Sequence, residues 1–175
     1  MKYISFILST AGLITLILAS AIKTKSTGKI LALVSAGNLL MALSYLFAVD
    51  GANGAVSSFL GAVQSIINFS FTSKNKPIPL SLIWLYAVSF IALNLLFISS
   101  YTGIFAILAC LCFVGSISSK KASGYRLWVT ANCTFWIIYD AVSMSYAPLV
   151  THIILGAFTI IGMFINRENS NVTEK

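Results

Sequence analysis

The chain has 175 residues, of which 58% are hydrophobic and only 9% charged, with a formal net charge of +7 and a mean hydropathy of +0.94. A soluble domain of this length cannot bury so much apolar surface in one core, so the composition calls for a lipid bilayer as solvent. The basic residues lie in separated loops rather than on one surface, which argues against a nucleic-acid interface, and seven apolar segments of ~20 residues leave no room for a soluble catalytic domain.

The first apolar span covers residues 3–22. Its run ends at Ala19-Ser20-Ala21, like a secretory signal, but Lys23, Lys25 and Lys29 follow closely and favour a retained helix with its N-terminus outside. The second span, 29–49, places Ser35, Asn38 and Tyr45 on roughly one face, and Asn38 lies deep enough to bond a solute or a neighbouring helix. Asp50-Gly51-Ala52-Asn53-Gly54 reads as a tight turn, since glycine and asparagine tolerate positive φ. The third span, 53–72, carries Ser57, Gly61, Gln64 and Asn68 at the spacing of one helical face. Lys74-Asn75-Lys76-Pro77 ends it, because proline lacks an amide donor and disfavours helix before it.

The fourth span, 78–98, has little polarity beyond Asn94 and reads as a linker; Ser99 and Ser100 mark the next turn. The fifth, 100–118, holds Cys110 and Cys112. With Cys133 these lack metal spacing and read as small buried hydrophobes. The polar stretch from Ser118 to Gly124 precedes the sixth span, 126–144, where Asn132, Trp136, Tyr139 and Ser143 share a face with Asp140 beside it. Trp136 and Tyr139 offer flat walls with a donor each, suited to stacking on a sugar or planar ring; the bland alternative is an aromatic anchor at the membrane interface.

Asp140 is the sole acidic residue within a predicted span. An ionised carboxylate there costs ~2.5–3.5 kcal/mol at the bilayer centre and less near an edge. Either it reaches water at the outer turn, or it pairs with His152 at matching depth, to relay a proton or hold a polar solute. The seventh span, 146–165, repeats the stripe of the third as His152, Gly156, Thr159 and Met163. Those two stripes line a pathway, or else Gly61 and Gly156 permit close approach while Gln64 and Thr159 bond across helices. The polar tail from Asn166 is expected to fray.

Ten of the eleven basic residues fall in alternate loops: Lys23, Lys25, Lys29, Lys74, Lys76, Lys120, Lys121, Arg126, Arg167 and Lys175. Lys2 is alone on the other side, so seven spans with the N-terminus outside and the C-terminus cytoplasmic fit the asymmetry. A shift of 95 residues also superposes spans one to three on spans five to seven without a gap. Lys25 then falls on Lys120, Leu60-Gly61-Ala62 on Leu155-Gly156-Ala157, and Phe69 on Phe164. An odd fourth span keeps both units in one orientation, a parallel repeat of the kind some transporters use.

The segment Ala42-Leu43-Ser44-Tyr45, through Gly51-Ala52-Asn53-Gly54-Ala55 to Gln64, resembles the YgjV family of bacterial inner-membrane proteins, as does Trp136-Ile137-Ile138-Tyr139-Asp140. Ser44 stands where many relatives carry histidine, and spans one and five lack a clear Pro-Gln motif. That family is similar to the SWEET, SemiSWEET and PnuC group, which implies two parallel three-helix bundles joined by a linker helix. It also implies facilitated diffusion of sugars or vitamin precursors past aromatic and asparagine side chains.

The reading is therefore an all-α membrane protein of seven transmembrane helices, divided into a first repeat (1–73), a linker helix (74–98), a second repeat (99–166) and a cytoplasmic tail (167–175). The expected function is movement of a polar small-molecule solute across the bacterial inner membrane by alternating access, the alternative being a non-transporting scaffold or partner-binding subunit. Asn38, Gln64, Asn132, Trp136, Tyr139, Asp140 and His152 are the expected solute-binding residues. No cofactor or metal is expected, and one histidine with one buried acid does not furnish an enzyme. The partners expected are the lipid bilayer, the solute and, in a homo-oligomer, further copies of the chain, but no nucleic acid.

Overall fold

In the computed structural model, residues 2–21, 27–48, 51–74, 76–97, 101–118 and 122–173 are described. They form seven helices, with no strand among them: α1 (Lys2–Ala21), α2 (Thr27–Tyr45), α3 (Ala52–Thr72), α4 (Leu80–Leu96), α5 (Gly103–Ser118), α6 (Ala122–Val142) and α7 (Tyr146–Thr173). Leucine, alanine and isoleucine sustain each helix, and glycine or proline marks several of the breaks.

The helix ends differ from the sequence expectation where local chemistry intervenes. Pro79 stays extended at φ −63°, ψ 141°, so α4 begins only at Leu80, and the amides of Leu82 and Ile83 bond the Pro79 carbonyl. Helix α6 closes with Met144 at φ 54°. The Ser145 amide then reaches back to the Asp140 carbonyl at 2.8 Å, the long bond of a Schellman closure. The tail expected to fray from Asn166 is instead helical to Thr173, in a stretch without glycine or proline to stop it.

Each helix packs on its neighbour in the chain within α1–α2–α3 and within α5–α6–α7, while α4 lies against α3 and α5. Helix α1 also meets α7, α3 meets α5, and α2 touches α7. Small residues set the α1–α2 approach: a Cβ on Gly12 would lie 3.2 Å from the Gly37 carbonyl oxygen. The buried core draws Met41 and Tyr45 from α2, Phe90 from α4, Cys110 from α5, and Trp136 and Tyr139 from α6.

Polarity is inverted relative to a soluble domain. Ser5, Ser9, Ser44, Asn53, Gln64, Asn68, Asn94, Asp140 and Thr151 are all buried. Ile7, Phe59, Trp84, Leu85, Val88, Leu108 and Phe158 face outward. Apolar solvent outside and hydrogen-bonding groups inside is the arrangement lipid selects. Among the described residues one helix, α3, is long and apolar enough to cross a membrane; α4 and α5, at 17 and 16 residues, are shorter apolar helices. Lys74 and Lys76 are exposed after α3. Lys23, Lys25, Lys120, Lys121 and Lys175 lie outside the described residues, as do the side chains of Lys29, Arg126 and Arg167.

Candidate functional site

The last two turns of α6 turn three residues inward: Trp136, Tyr139 and Asp140. The Asp140 side chain is fully buried, so it does not reach water at the outer turn. Both carboxylate oxygens are engaged. Tyr45 on α2 donates its hydroxyl to Oδ1 at 2.6 Å, and His152 on α7 sets Nδ1 2.7 Å from Oδ2. Three helices thus converge on one carboxylate. The Schellman bond to the Asp140 carbonyl fixes its backbone as well.

Aromatic rings enclose the pair. Trp136 stacks on the His152 imidazole at 5.5 Å between centroids, with planes 9° apart. Tyr139 presents its edge to Trp136 at 5.5 Å, and Tyr45 lies 5.9 Å from the same indole. Such contacts contribute about 0.5–1.5 kcal/mol each beyond burial. Neither Trp136 nor Tyr139 is an interfacial anchor, because both are buried. The Tyr139 hydroxyl accepts from the Gly54 amide at 3.1 Å, which ties the start of α3 to α6. Only glycine fits there: a Cβ at position 54 would lie 2.5 Å from the Tyr45 ring.

The remaining expected residues separate from this cluster. Asn132 donates to the Ala109 carbonyl of α5 at 2.7 Å, so it joins two helices rather than lining the aromatic wall. Asn38 lies against Gly61, whose Cβ would sit 3.4 Å from the amide carbon. Gln64, three residues further along α3, is 1% exposed, and neither its Nε2 nor its Oε1 has a hydrogen-bond partner. Thr159 bonds back to Leu155 of its own helix at 2.8 Å. Neither Gln64 nor Thr159 therefore bonds across helices as the packing alternative requires. That task falls to others. Asn53 and Ser57 of α3 both donate to the Asn94 side-chain oxygen of α4, Tyr86 donates to Asn68, and the Ser9 and Thr151 hydroxyls meet at 2.7 Å between α1 and α7.

Tyr45 and Gly54 were not among the expected site residues. In the sequence Tyr45 shares a face with Ser35 and Asn38 and closes the Ala42–Tyr45 family motif, and it lies 95 residues before Asp140, the offset of the internal register, which is the signal that pairs them. Among the described residues no three of His, Cys, Asp and Glu gather in a group able to hold a metal. No curated protein and no solved structure matches the chain. A family model for Imp-YgjV, described as bacterial inner membrane protein, matches residues 6–168. The chain therefore belongs to the Imp-YgjV family of bacterial inner-membrane proteins.

Proposed function

We propose that the chain moves a polar small-molecule solute across the bacterial inner membrane by alternating access, with seven crossings, the N-terminus outside and two like-oriented triplets, α1–α3 and α5–α7, rocking about a pocket near the midplane. Recurrent contacts support the two triplets. Gly61 of α3 faces Asn38 of α2, and Gly156 of α7 faces Cys133 of α6, each at 3.4 Å from the added Cβ and each pair displaced by the same 95 residues. Tyr45 and Asp140, themselves 95 residues apart, touch one another, as equivalent positions do only beside a two-fold axis. The SWEET-, SemiSWEET- and PnuC-like architecture implied by the sequence resemblance agrees with this arrangement.

The observation that carries the transport reading is Gln64. A membrane scaffold gains nothing from a buried carboxamide with no partner, and leaving one unpaired costs about 1–3 kcal/mol. A solute pathway does use such a group, since its donor and acceptor become satisfied when a hydroxyl or amide arrives. Twelve residues into α3, Gln64 lies ~18 Å along the helix axis, close to the midplane. Asn38 stands against Gly61, three residues before it on α3, and the wall of Trp136, Tyr139, Asp140 and His152 lies toward the outer end.

Purified protein in liposomes, loaded in turn with labelled glucose, uridine and nicotinamide riboside, should exchange at least one of the three. Gln64→Leu should lower that exchange by about tenfold or more while leaving thermal stability unchanged or raised, because the unpaired amide is gone. No exchange of any probe, or a Gln64→Leu protein that unfolds more easily, would favour the scaffold and end the transport reading.

A further inference from the structure

We propose that Asp140 and His152 form a binding site for one exchangeable proton, entered through His152, and that this proton is the charge that lets the carboxylate remain inside the bundle. The inference rests on the transport reading for its purpose, though not for its chemistry. Four observations lead to it.

First, the carboxylate is sealed while its partner is not: the side chain of Asp140 is 0% exposed and that of His152 is 10% exposed. The imidazole is thus the edge of the pair nearest to water, and it bonds Asp140 through Nδ1, which leaves Nε2 as the atom free to exchange a proton. Second, the groups facing the carboxylate offer no permanent positive charge. Helix α2 contributes the Tyr45 hydroxyl, α7 contributes His152, α6 itself contributes Tyr139, α5 brings the Cys110 thiol near Tyr45, and α3 brings the Gly54 amide. Among the described residues neither lysine nor arginine pairs with it. Neutrality in a medium of low dielectric then depends on one proton, whether it sits on Nδ1 or on Oδ2.

Third, a purely structural role is better served by asparagine, which offers Tyr45 an acceptor without a charge to neutralise. A carboxylate paired with the one side chain that titrates near neutrality makes sense where the proton must leave and return. Fourth, Tyr45 hangs from the same carboxylate on the opposite triplet. When the proton departs, the pair becomes a net anion and must gain water. At Oδ1 that water takes the place of the Tyr45 hydroxyl, the side chain that ties α2 to α6. Loss of the proton and opening of the Tyr45 contact are then one event, and solute exchange becomes proton-coupled.

Trp136 reports on the site directly, since it stacks on His152 and a protonated imidazole quenches a stacked indole. With Trp84→Phe and Trp128→Phe removing the other two tryptophans, the emission of the full-length protein in liposomes should change in a single step on a pH titration. His152→Gln should abolish the step, and the isosteric Asp140→Asn should displace it by about one pH unit or more. A flat profile in the parent protein, or a step that His152→Gln and Asp140→Asn both leave in place, overturns the proposal. The two readings separate cleanly. A His152-dependent step without exchange of any solute keeps the proton site and removes transport, whereas solute exchange with a flat Trp136 profile does the reverse.

Discussion

Asp140 sets the terms at the residue scale. A carboxylate held away from water requires both oxygens to be met, and here each is met by a different helix, through Tyr45 and through His152. Gly54 is what permits it. Its missing Cβ makes room for the Tyr45 ring, and its amide holds the Tyr139 hydroxyl. Gly54→Ala should therefore push Tyr45 from Asp140 and cost about 1–3 kcal/mol, read as a lower unfolding temperature in detergent. Tyr45→Ala in the same chain should recover part of that loss, because the clash disappears with the ring; no recovery would place the strain elsewhere. The His152 pairing was legible in the sequence, since depth below a turn follows from 1.5 Å per residue on each helix. Tyr45 was not, because its reach to Asp140 depends on where α2 sits relative to α6, a quantity no single helix encodes.

At the scale of the element, α4 shows how one polar residue can fix a helix. Read from sequence, it was an apolar rod with little beyond Asn94. In the structure Asn94 is fully buried, its side-chain oxygen accepting from Asn53 and Ser57 and its own amide bonding the Phe90 carbonyl. Replacement by leucine adds apolar surface yet strands the buried Ser57 hydroxyl on α3 and leaves Asn53 only its 2.8 Å bond to the residue-94 backbone carbonyl. Asn94→Leu should accordingly destabilise the protein by about 1–3 kcal/mol in a thermal melt. An equal or higher melting temperature would mean that α4 is held by apolar packing alone. The breaks at Gly51 and Pro77 were legible, although Ala52, Asn53 and Gly54, expected in a positive-φ turn, already belong to α3, and α4 waits until Leu80. At the α6–α7 turn no breaker marks the end: Met144, at the expected limit of the span, ends α6 through its positive φ without a glycine.

At the scale of the whole molecule, the proposed topology makes a direct prediction about sidedness. Met144 is exposed in the α6–α7 turn, and Lys74 is exposed after α3. In a background with Cys110, Cys112 and Cys133 replaced, an impermeant maleimide should label Met144→Cys in intact spheroplasts, and Lys74→Cys only after the membrane is opened. Labelling of both from one side would remove the odd number of crossings. The sequence alone determined that the chain is helical, that lipid is its solvent and where most helices begin. Those follow from composition, hydropathy and breakers, each a local property of the chain. Only the tertiary structure decided which polar groups are satisfied and which are not. It spent Asn132 on a helix contact, left Gln64 unpaired, and drew Tyr45, Asp140 and His152 from three helices into one buried cluster. The physical reason is that a hydrogen bond in a bundle depends on interhelical distance and rotation, which arise only when the helices pack together.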